Sequence, residues 1–355
     1  MNLDLESLNR CVRCGTCRSV CPVIEEVGWE SASTRGRILA MRGIHDGLVA
    51  GPDALDSLNT CTTCGICTVS CPAGVSPPDL VESARRELVS SGIMTPQQKR
   101  LRERLFSSGN AFGDPVNRLA WLKGERAKGG MPADGRVSAV YFVGCLSSYR
   151  YPQTAARTFD LLRRFGAAIL PDEQCCGSPL VRTGFDASRF REANVRQIRK
   201  IGADIIITGC AGCYSTLKRD YPPDLRVMSV PEFLAGHISE LDLKPLNMTV
   251  TYHDPCHLGR HNGIYEQPRQ VIESICRLKE MRASHESARC CGGGGGVRVG
   301  YRDLSLRMAK KRLADVPDGV DLIVTSCSLC VRNLRDAGAG EMVIDLADLV
   351  AAAIK

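Results

Sequence analysis

CVRCGTCRSVCP (residues 11–22) and CTTCGICTVSCP (61–72) repeat one spacing, C-x2-C-x2-C-x3-C-P. Two residues between each of the first three cysteines suit a tight loop that wraps three corners of one compact centre. Gly15 and Gly65 take the same place in each run and let backbone N–H groups approach that centre. Pro22 and Pro72 follow the fourth cysteine and turn the chain away, so that this thiolate crosses over. Zinc sites use paired C-x2-C hooks rather than two four-cysteine runs. The spacing therefore predicts two [4Fe–4S] cubane clusters near the N-terminus.

In two-cluster ferredoxins the fourth cysteine of each run ligates the other cluster. That rule assigns Cys11, Cys14, Cys17 and Cys71 to one cluster, and Cys61, Cys64, Cys67 and Cys21 to the second. Thirty-nine residues separate Cys21 from Cys61, including the helical stretch STRGRILAMRGI. This insertion resembles the all-helical ferredoxins of succinate-dehydrogenase and heterodisulfide-reductase iron–sulfur subunits more than the compact, β-rich bacterial ferredoxin.

The 355 residues carry 19 cysteines, a density that needs a chemical reason. A disulfide scaffold is short and loop-rich, whereas this chain is long and helix-patterned, which favours metal ligation in a reducing compartment. MNLDLESLNR lacks the basic and apolar regions of a signal peptide, and the longest apolar runs, such as Leu349–Ile354, are too short to span a bilayer. The expectation is a cytoplasmic chain that reaches the inner face of a membrane only through a partner subunit. Net charge is +7 with aromatics at 5%, and no basic run alternates with aromatics, which argues against nucleic acid. Basic residues at Arg163–Arg164, Lys310–Arg312 and Lys99–Arg104 read as solvated helix faces.

Past the first eight cysteines, PPDLVESARRELVSSG has helical spacing at Leu80, Val81, Ala84 and Leu88. A second helix starts at Thr95, with Pro96 at its first position and Gln98 completing a capping box. KGGMPADGR (128–136) reads as a linker. From residue 137 the pattern becomes α/β: VSAVYFVG (137–144), DIIITG (204–209), MTVTYHD (248–254) and DLIVTS (321–326) are strands alternating with helices. The expected organisation is an all-helical two-cluster ferredoxin domain (1–95), a helical connector and linker (96–136), and two duplicated α/β domains with small parallel sheets (137–245 and 246–355).

The duplication is visible in the cysteines. Cys145, Cys175–Cys176 and Cys210/Cys213 correspond to Cys256, Cys290–Cys291 and Cys327/Cys330, with offsets of 111, 115 and 117 residues. Cys145, Cys210, Cys256 and Cys327 each follow a predicted strand. Ligands gather outside the carboxyl ends of parallel strands, so each set should converge at one sheet edge. Five thiolates exceed the needs of one zinc or one cubane, and adjacent cysteines reach two irons of a cluster more readily than one ion. A structural thiol cluster, or a cubane with a spare cysteine, stays open on spacing alone.

The doubled C-xn-CCG-xn-C-x2-C pattern resembles the CCG domain of heterodisulfide reductases, glycolate oxidase iron–sulfur subunits and anaerobic glycerol-3-phosphate dehydrogenase subunits. A ferredoxin module followed by two CCG domains is similar to the D-type subunit of heterodisulfide reductase, a fusion of the C-type and B-type subunits, and SGNAFGDPVNRLAWL (108–122) resembles the connector of that group. The resemblance spans nearly the whole chain. It implies that each five-cysteine set holds a noncubane [4Fe–4S] cluster and that a substrate disulfide is cleaved between the two. Both sets are complete here, which favours catalysis at these ten cysteines. The resemblance also implies a flavoprotein or membrane cytochrome b partner as electron donor, because no second redox motif is present. The competing reading is a non-catalytic relay subunit for an FAD-linked glycolate, lactate or glycerol-3-phosphate dehydrogenase.

CCGGGGGVRVG (290–300) does not follow a predicted strand, which argues against a dinucleotide fingerprint. Its glycines suit close backbone approach to a cluster. In HDPCHLGRH, His253, His257 and His261 flank Cys256, and a helix from Pro255 would put His257 and His261 on one face. His257 is a candidate proton donor to released thiolates, with a structural histidine as the alternative. Cys276 fits no motif and reads as a core thiol.

Overall fold

The computed structural model describes residues 5–123 and 137–355; the 128–136 linker lies outside the described residues. Residues 5–108 form only helices among the described elements. Ser33 caps helix Thr34–His45 by accepting from the Gly36 N–H. Helix Pro77–Ser90 buries Leu80, Val81, Ala84 and Leu88, the stripe predicted from spacing, against Ile38, Met41 and Leu58. Helix Pro96–Ser108 begins with the expected capping box between Thr95 and Gln98. The Gln98 side chain also bonds Asn59 at 3.2 Å and the Thr183 carbonyl at 2.9 Å. The cap thus ties the helical region to the first α/β region. Thr95→Ala should lower stability by about 1 kcal/mol in chemical denaturation, the usual cost of a lost N-cap.

Two four-stranded, wholly parallel sheets come next in the chain. The first contains β1 (Ala139–Tyr141), β2 (Ala167–Ile169), β3 (Ile205–Thr208) and β4 (Arg226–Ser229) in the order β2-β1-β3-β4. The second contains β5 (Thr249–His253), β6 (Arg277–Leu278), β7 (Leu322–Thr325) and β8 (Val343–Asp345) in the order β6-β5-β7-β8. The four strands read from sequence are the two central ones of each sheet. Between the sheets a shared core gathers Phe159, Phe233, Ile272, Leu346 and Val350 from both halves. Arg157 and Thr154 reach Asp348 across it at 2.9 and 2.7 Å.

Most of the basic residues read as solvated are exposed, including Arg163, Arg164 and Lys310. Arg312 is the correction: it is 0% exposed. It faces inward because it has partners there, with Nε donating to His253 Nδ1 at 2.9 Å and Nη1 donating to the Ala283 carbonyl and Asp315.

Candidate metal centre

All nineteen cysteines are free thiols. Eighteen fall into four groups whose placement follows from local backbone geometry. Gly15 and Gly65 adopt φ of 87° and 75° at the N-caps of the short helices Thr16–Ser19 and Ile66–Val69. Arg13 and Thr63, two residues before each glycine, also have positive φ, at 58° and 53°. Such conformations cost energy in non-glycine residues and mark sites where the loop shape is imposed. In the first run they gather Cys11, Cys14 and Cys17 at the lining of one cavity, although Cys14 stays exposed.

The fourth cysteines cross over. Cys11, Cys14, Cys17 and Cys71 line one cavity with Arg35 and Ile38. Burial, then Cys11, Cys14 and Cys71, push the Cys17 thiol up to about 11. Around the second run, Cys67 is pushed well up by burial and then by Cys64, Cys61 and Cys21. The fully buried Arg37 points Nη1 at Cys21 Sγ, at 3.8 Å. Arg85, equally buried, donates to the carbonyls of Leu58, Cys61, Arg182 and Gly295 at 2.6–3.2 Å. One guanidinium thus joins the helical region to both later regions.

The five-cysteine sets converge at the carboxyl ends of the sheets. An order of β2-β1-β3-β4 sends the connections from β1 and β3 to opposite sides, which leaves a crevice between those two strands. Cys145 follows β1 and Cys210 follows β3; Cys256 and Cys327 follow β5 and β7 in the same way. In the first set thiol contacts run Cys145–Cys175–Cys176–Cys213–Cys210. In the second they run Cys256–Cys290–Cys291–Cys330–Cys327, with Cys291 and Cys330 at 3.3 Å.

Two contacts link the groups. Cys210 of the first set hydrogen-bonds Cys327 of the second, and Ser147 Oγ meets Ser328 Oγ at 2.8 Å where the two cysteine-bearing helices meet. Cys64 hydrogen-bonds Cys290 and lies close to Cys256. The Cys64 thiol is raised well above its ordinary value by that bond first and by burial second. A run of neighbouring thiols therefore leads from the second N-terminal site, through the second five-cysteine set, to the first.

Arg118 and Glu173 escaped the sequence reading, whereas His253 was read there as flanking Cys256. Arg118 arrives from the connector and donates to Cys145 Sγ at 3.3 Å and Glu173 at 2.7 Å. Glu173 also accepts the Val143 and Gly144 N–H groups, fixing the loop after β1. His253 takes its proton-acceptor role at Nδ1 from Arg312, which can only donate. Its Nε2 is buried without a partner, and a ring nitrogen lies within 4.8 Å of the Cys291 and Cys330 sulfurs.

His257 precedes the short helix Gly259–Asn262, which starts later than the sequence suggested. Its ring still stacks on His261, with centroids 4.4 Å apart, and Nδ1 is 3.2 Å from Cys256 Sγ. Burial, then Arg182, hold its pKa well below the ordinary value, so the imidazole is neutral. His261 Nε2 contacts the Thr63 carbonyl at 2.9 Å. Cys276 stands apart from all four groups, half-buried against the inter-sheet core.

The glycine run is packed against neighbouring backbone. A Cβ at Gly294 would lie 2.8 Å from the Thr62 carbonyl oxygen, one at Gly292 would meet the Ser305 carbonyl, and one at Gly295 would overlap that of Cys61. These glycines admit the loop between two cysteine sites. Gly295→Ala combines that overlap with a φ of +59°, so it should cost well over the ~1–2 kcal/mol of left-handed backbone alone. Thermal melts of the metal-loaded protein would measure the loss.

The donor sets fit iron–sulfur clusters. Eight thiols stand in two groups of four, and ten in two groups of five. Within the five-cysteine sets, neighbouring thiols push one another's pKa values apart, with Cys176, Cys291 and Cys327 favoured as thiolates and Cys145, Cys213 and Cys330 held protonated, and binding a cationic core releases the remaining protons. The Nε2 of His253 and the Nη2 of Arg260 are buried without a hydrogen-bond partner, and a His253 ring nitrogen lies close to two of the sulfurs.

Comparison with known proteins agrees. Residues 7–75 match the 4Fe-4S dicluster domain family, and residues 139–218 and 250–335 match the Cysteine-rich domain family, CCG. The D subunit of dihydromethanophenazine:CoB–CoM heterodisulfide reductase from Methanosarcina barkeri is 34% identical, over 99% of this chain and 95% of that protein. The B subunit of fumarate reductase (CoM/CoB) from Methanothermobacter marburgensis is 34% identical over 94% of this chain and 69% of that protein. EtfAB:quinone oxidoreductase of Syntrophomonas wolfei is 30% identical over 73% of this chain and 40% of that protein. With its cysteine motifs inside both matched domain families and its similarity running almost end to end, the chain belongs to the D-type family of heterodisulfide reductase iron–sulfur proteins.

Proposed function

We propose that the chain is the iron–sulfur component of a disulfide reductase. It receives electrons at its N-terminal module and reduces a thiol heterodisulfide, of the CoM-S-S-CoB kind, between its two five-cysteine sites. The carrying observation is the unbroken run of neighbouring thiols from Cys64 to Cys290 and from Cys327 to Cys210. In this reading Cys11, Cys14, Cys17 and Cys71 hold one cubane, and Cys61, Cys64, Cys67 and Cys21 hold the other. The two five-cysteine sets, products of an internal duplication, hold two noncubane clusters, and the domains divide at 95, 136 and 245.

When bound, the clusters supply one-electron redox chemistry in pairs, matching the two electrons and two protons that a disulfide takes up. The chain's own residues hold and orient the site. Arg118 and Glu173 fix Cys145, and the Ser147–Ser328 bond holds the two sets face to face. His257, with Nδ1 3.2 Å from Cys256 Sγ, is the proposed proton donor, giving the Nδ1 proton while its unpartnered Nε2 takes one up, so that the ring stays neutral. A flavoprotein or membrane cytochrome b partner supplies the electrons. Among the described residues no helix is long and apolar enough to cross a membrane.

The relay reading has its own support, the similarity to EtfAB:quinone oxidoreductase and the deep burial of Cys175 and Cys290. One assay separates the two. Anaerobically purified protein is given reduced viologen and the mixed disulfide of coenzymes M and B. Disulfide-dependent viologen oxidation is expected; none, with clusters intact, favours the relay.

A further inference from the structure

Arg260 sits where an N-terminal site and a five-cysteine site touch. Its Nε donates to the Cys64 carbonyl at 2.8 Å, and its Nη1 donates to the carbonyls of Glu286 and Ala288 at 3.1 and 2.6 Å. These three bonds clamp the guanidinium without neutralising it. No carboxylate forms an ion pair with Arg260 among the described residues, whereas Arg118, Arg182, Arg269 and Arg312 each have one. The remaining nitrogen, Nη2, is buried and makes no hydrogen bond.

Arg260 is half-buried, and a donor nitrogen shielded from water and left idle is costly unless an anion stands nearby. The groups whose charge Arg260 feels most are the thiols of Cys64, Cys256 and Cys290. These belong to two different cysteine sites, and Cys290 hydrogen-bonds both of the other two. The peptide carbonyls that Arg260 grips also belong to both sides: Cys64 is itself in the second N-terminal run, and Ala288 leads into Cys290–Cys291.

We infer that Arg260 is a positioning residue for electron transfer. It is a fixed positive charge, with one NH2 group, Nη2, free for thiolate sulfur, that favours the reduced state on both sides of the junction between the Cys61/Cys64/Cys67/Cys21 site and the Cys256/Cys290/Cys291/Cys327/Cys330 site. Reduction adds negative charge to each site, and a half-buried guanidinium fixed beside it stabilises that charge more than one in bulk water does. Because the cation is shared, it draws the electron affinities of the two sites upward together. Arg260 does not line the Cys11/Cys14/Cys17/Cys71 cavity, where Arg35 is the neighbouring cation. The inference rests on the cluster assignments proposed above.

The test is an EPR-monitored redox titration of the full chain, anaerobically loaded with iron and sulfide, as wild type, Arg260→Lys, Arg260→Gln and Arg260→Met. Iron content is measured first: a wild-type chain that binds no iron would sink the cluster assignments themselves, not the role of Arg260. With iron bound, Gln and Met should move the midpoints of two signals to more negative potential and leave a third, from the outer N-terminal site, unmoved. Lys, keeping the charge without the fork, should restore most of the shift. A purely structural arginine would lower the melting temperature in all three variants without a shift ordered by charge. Unmoved potentials in Arg260→Gln, with iron content at the wild-type level, would overturn the inference. Should Met strip iron from the junction, the Gln and Lys pair carries the comparison.

Discussion

Cys291→Ser is expected to abolish disulfide-dependent turnover while leaving the two N-terminal cubane signals in place. Cys291 is 3% exposed and sits in the middle of its set, touching Cys290 on one side and Cys330 on the other. A serine hydroxyl does not ionise in the accessible pH range and is a harder ligand than thiolate, which is the donor iron–sulfur clusters require. The fall should exceed the roughly 10–100-fold that follows loss of an outer-shell partner, because a ligand itself is removed. Cys176→Ser should do the same from the other set. Iron counting and EPR separate the outcomes: about three quarters of the iron, that of the three clusters whose ligands are intact, and both cubane signals should remain. Activity surviving either change would mean that these cysteines are not the reaction centre.

Glu82→Ala is expected to destabilise the protein by about 3–5 kcal/mol, the usual result of removing one partner from a buried ion pair. Glu82 lies on helix Pro77–Ser90 of the helical region, yet its carboxylate accepts from Arg182 at 2.6 Å and Arg219 at 2.9 Å, both in the first α/β region. Glu82 and Arg182 side chains are each 5% exposed, so the loss strands a cation where water cannot reach it. Burial alone would raise the Glu82 pKa, but Arg182 and Arg219 outweigh it and hold the group below its ordinary value. Its contribution is therefore full above the ordinary carboxylate range and is lost as pH falls through the depressed folded value. Denaturant midpoints should show a large Ala penalty near neutral pH that shrinks in acid. Glu82→Leu combined with Arg182→Met should recover much of the loss; a double variant no more stable than Glu82→Ala would place the effect elsewhere.

The strands that the sequence revealed, β1, β3, β5 and β7, are all central, and the four it hid, β2, β4, β6 and β8, are all edges. Central parallel strands are covered on both faces and read as apolar runs such as Ile205–Thr208. Edge strands here are two to four residues long and mixed in character, as in Arg226–Ser229 and Arg277–Leu278, and carry too little pattern to separate from loop. The cations at the cysteine sites were hidden for a related reason. Arg85 lies in ESARREL and Arg312 in AKKRLA, where charge periodicity suggests a wet helix face. A long aliphatic stem lets either be buried to its tip once acceptors wait at the end.

The candidate ligands were legible in sequence alone, because cysteine count and spacing within a loop depend only on local chain geometry. Two four-cysteine runs and two five-cysteine sets were visible before any coordinates. Which thiols of different sets face one another, Cys64 with Cys290 and Cys210 with Cys327, was decided only by the packing of the helical region onto the second sheet and of the two sheets onto each other. The same packing set Arg260 against the Cys64 carbonyl. Contacts between residues more than a hundred positions apart leave no periodicity in the chain, since they are fixed by which apolar faces bury together and not by any local repeat.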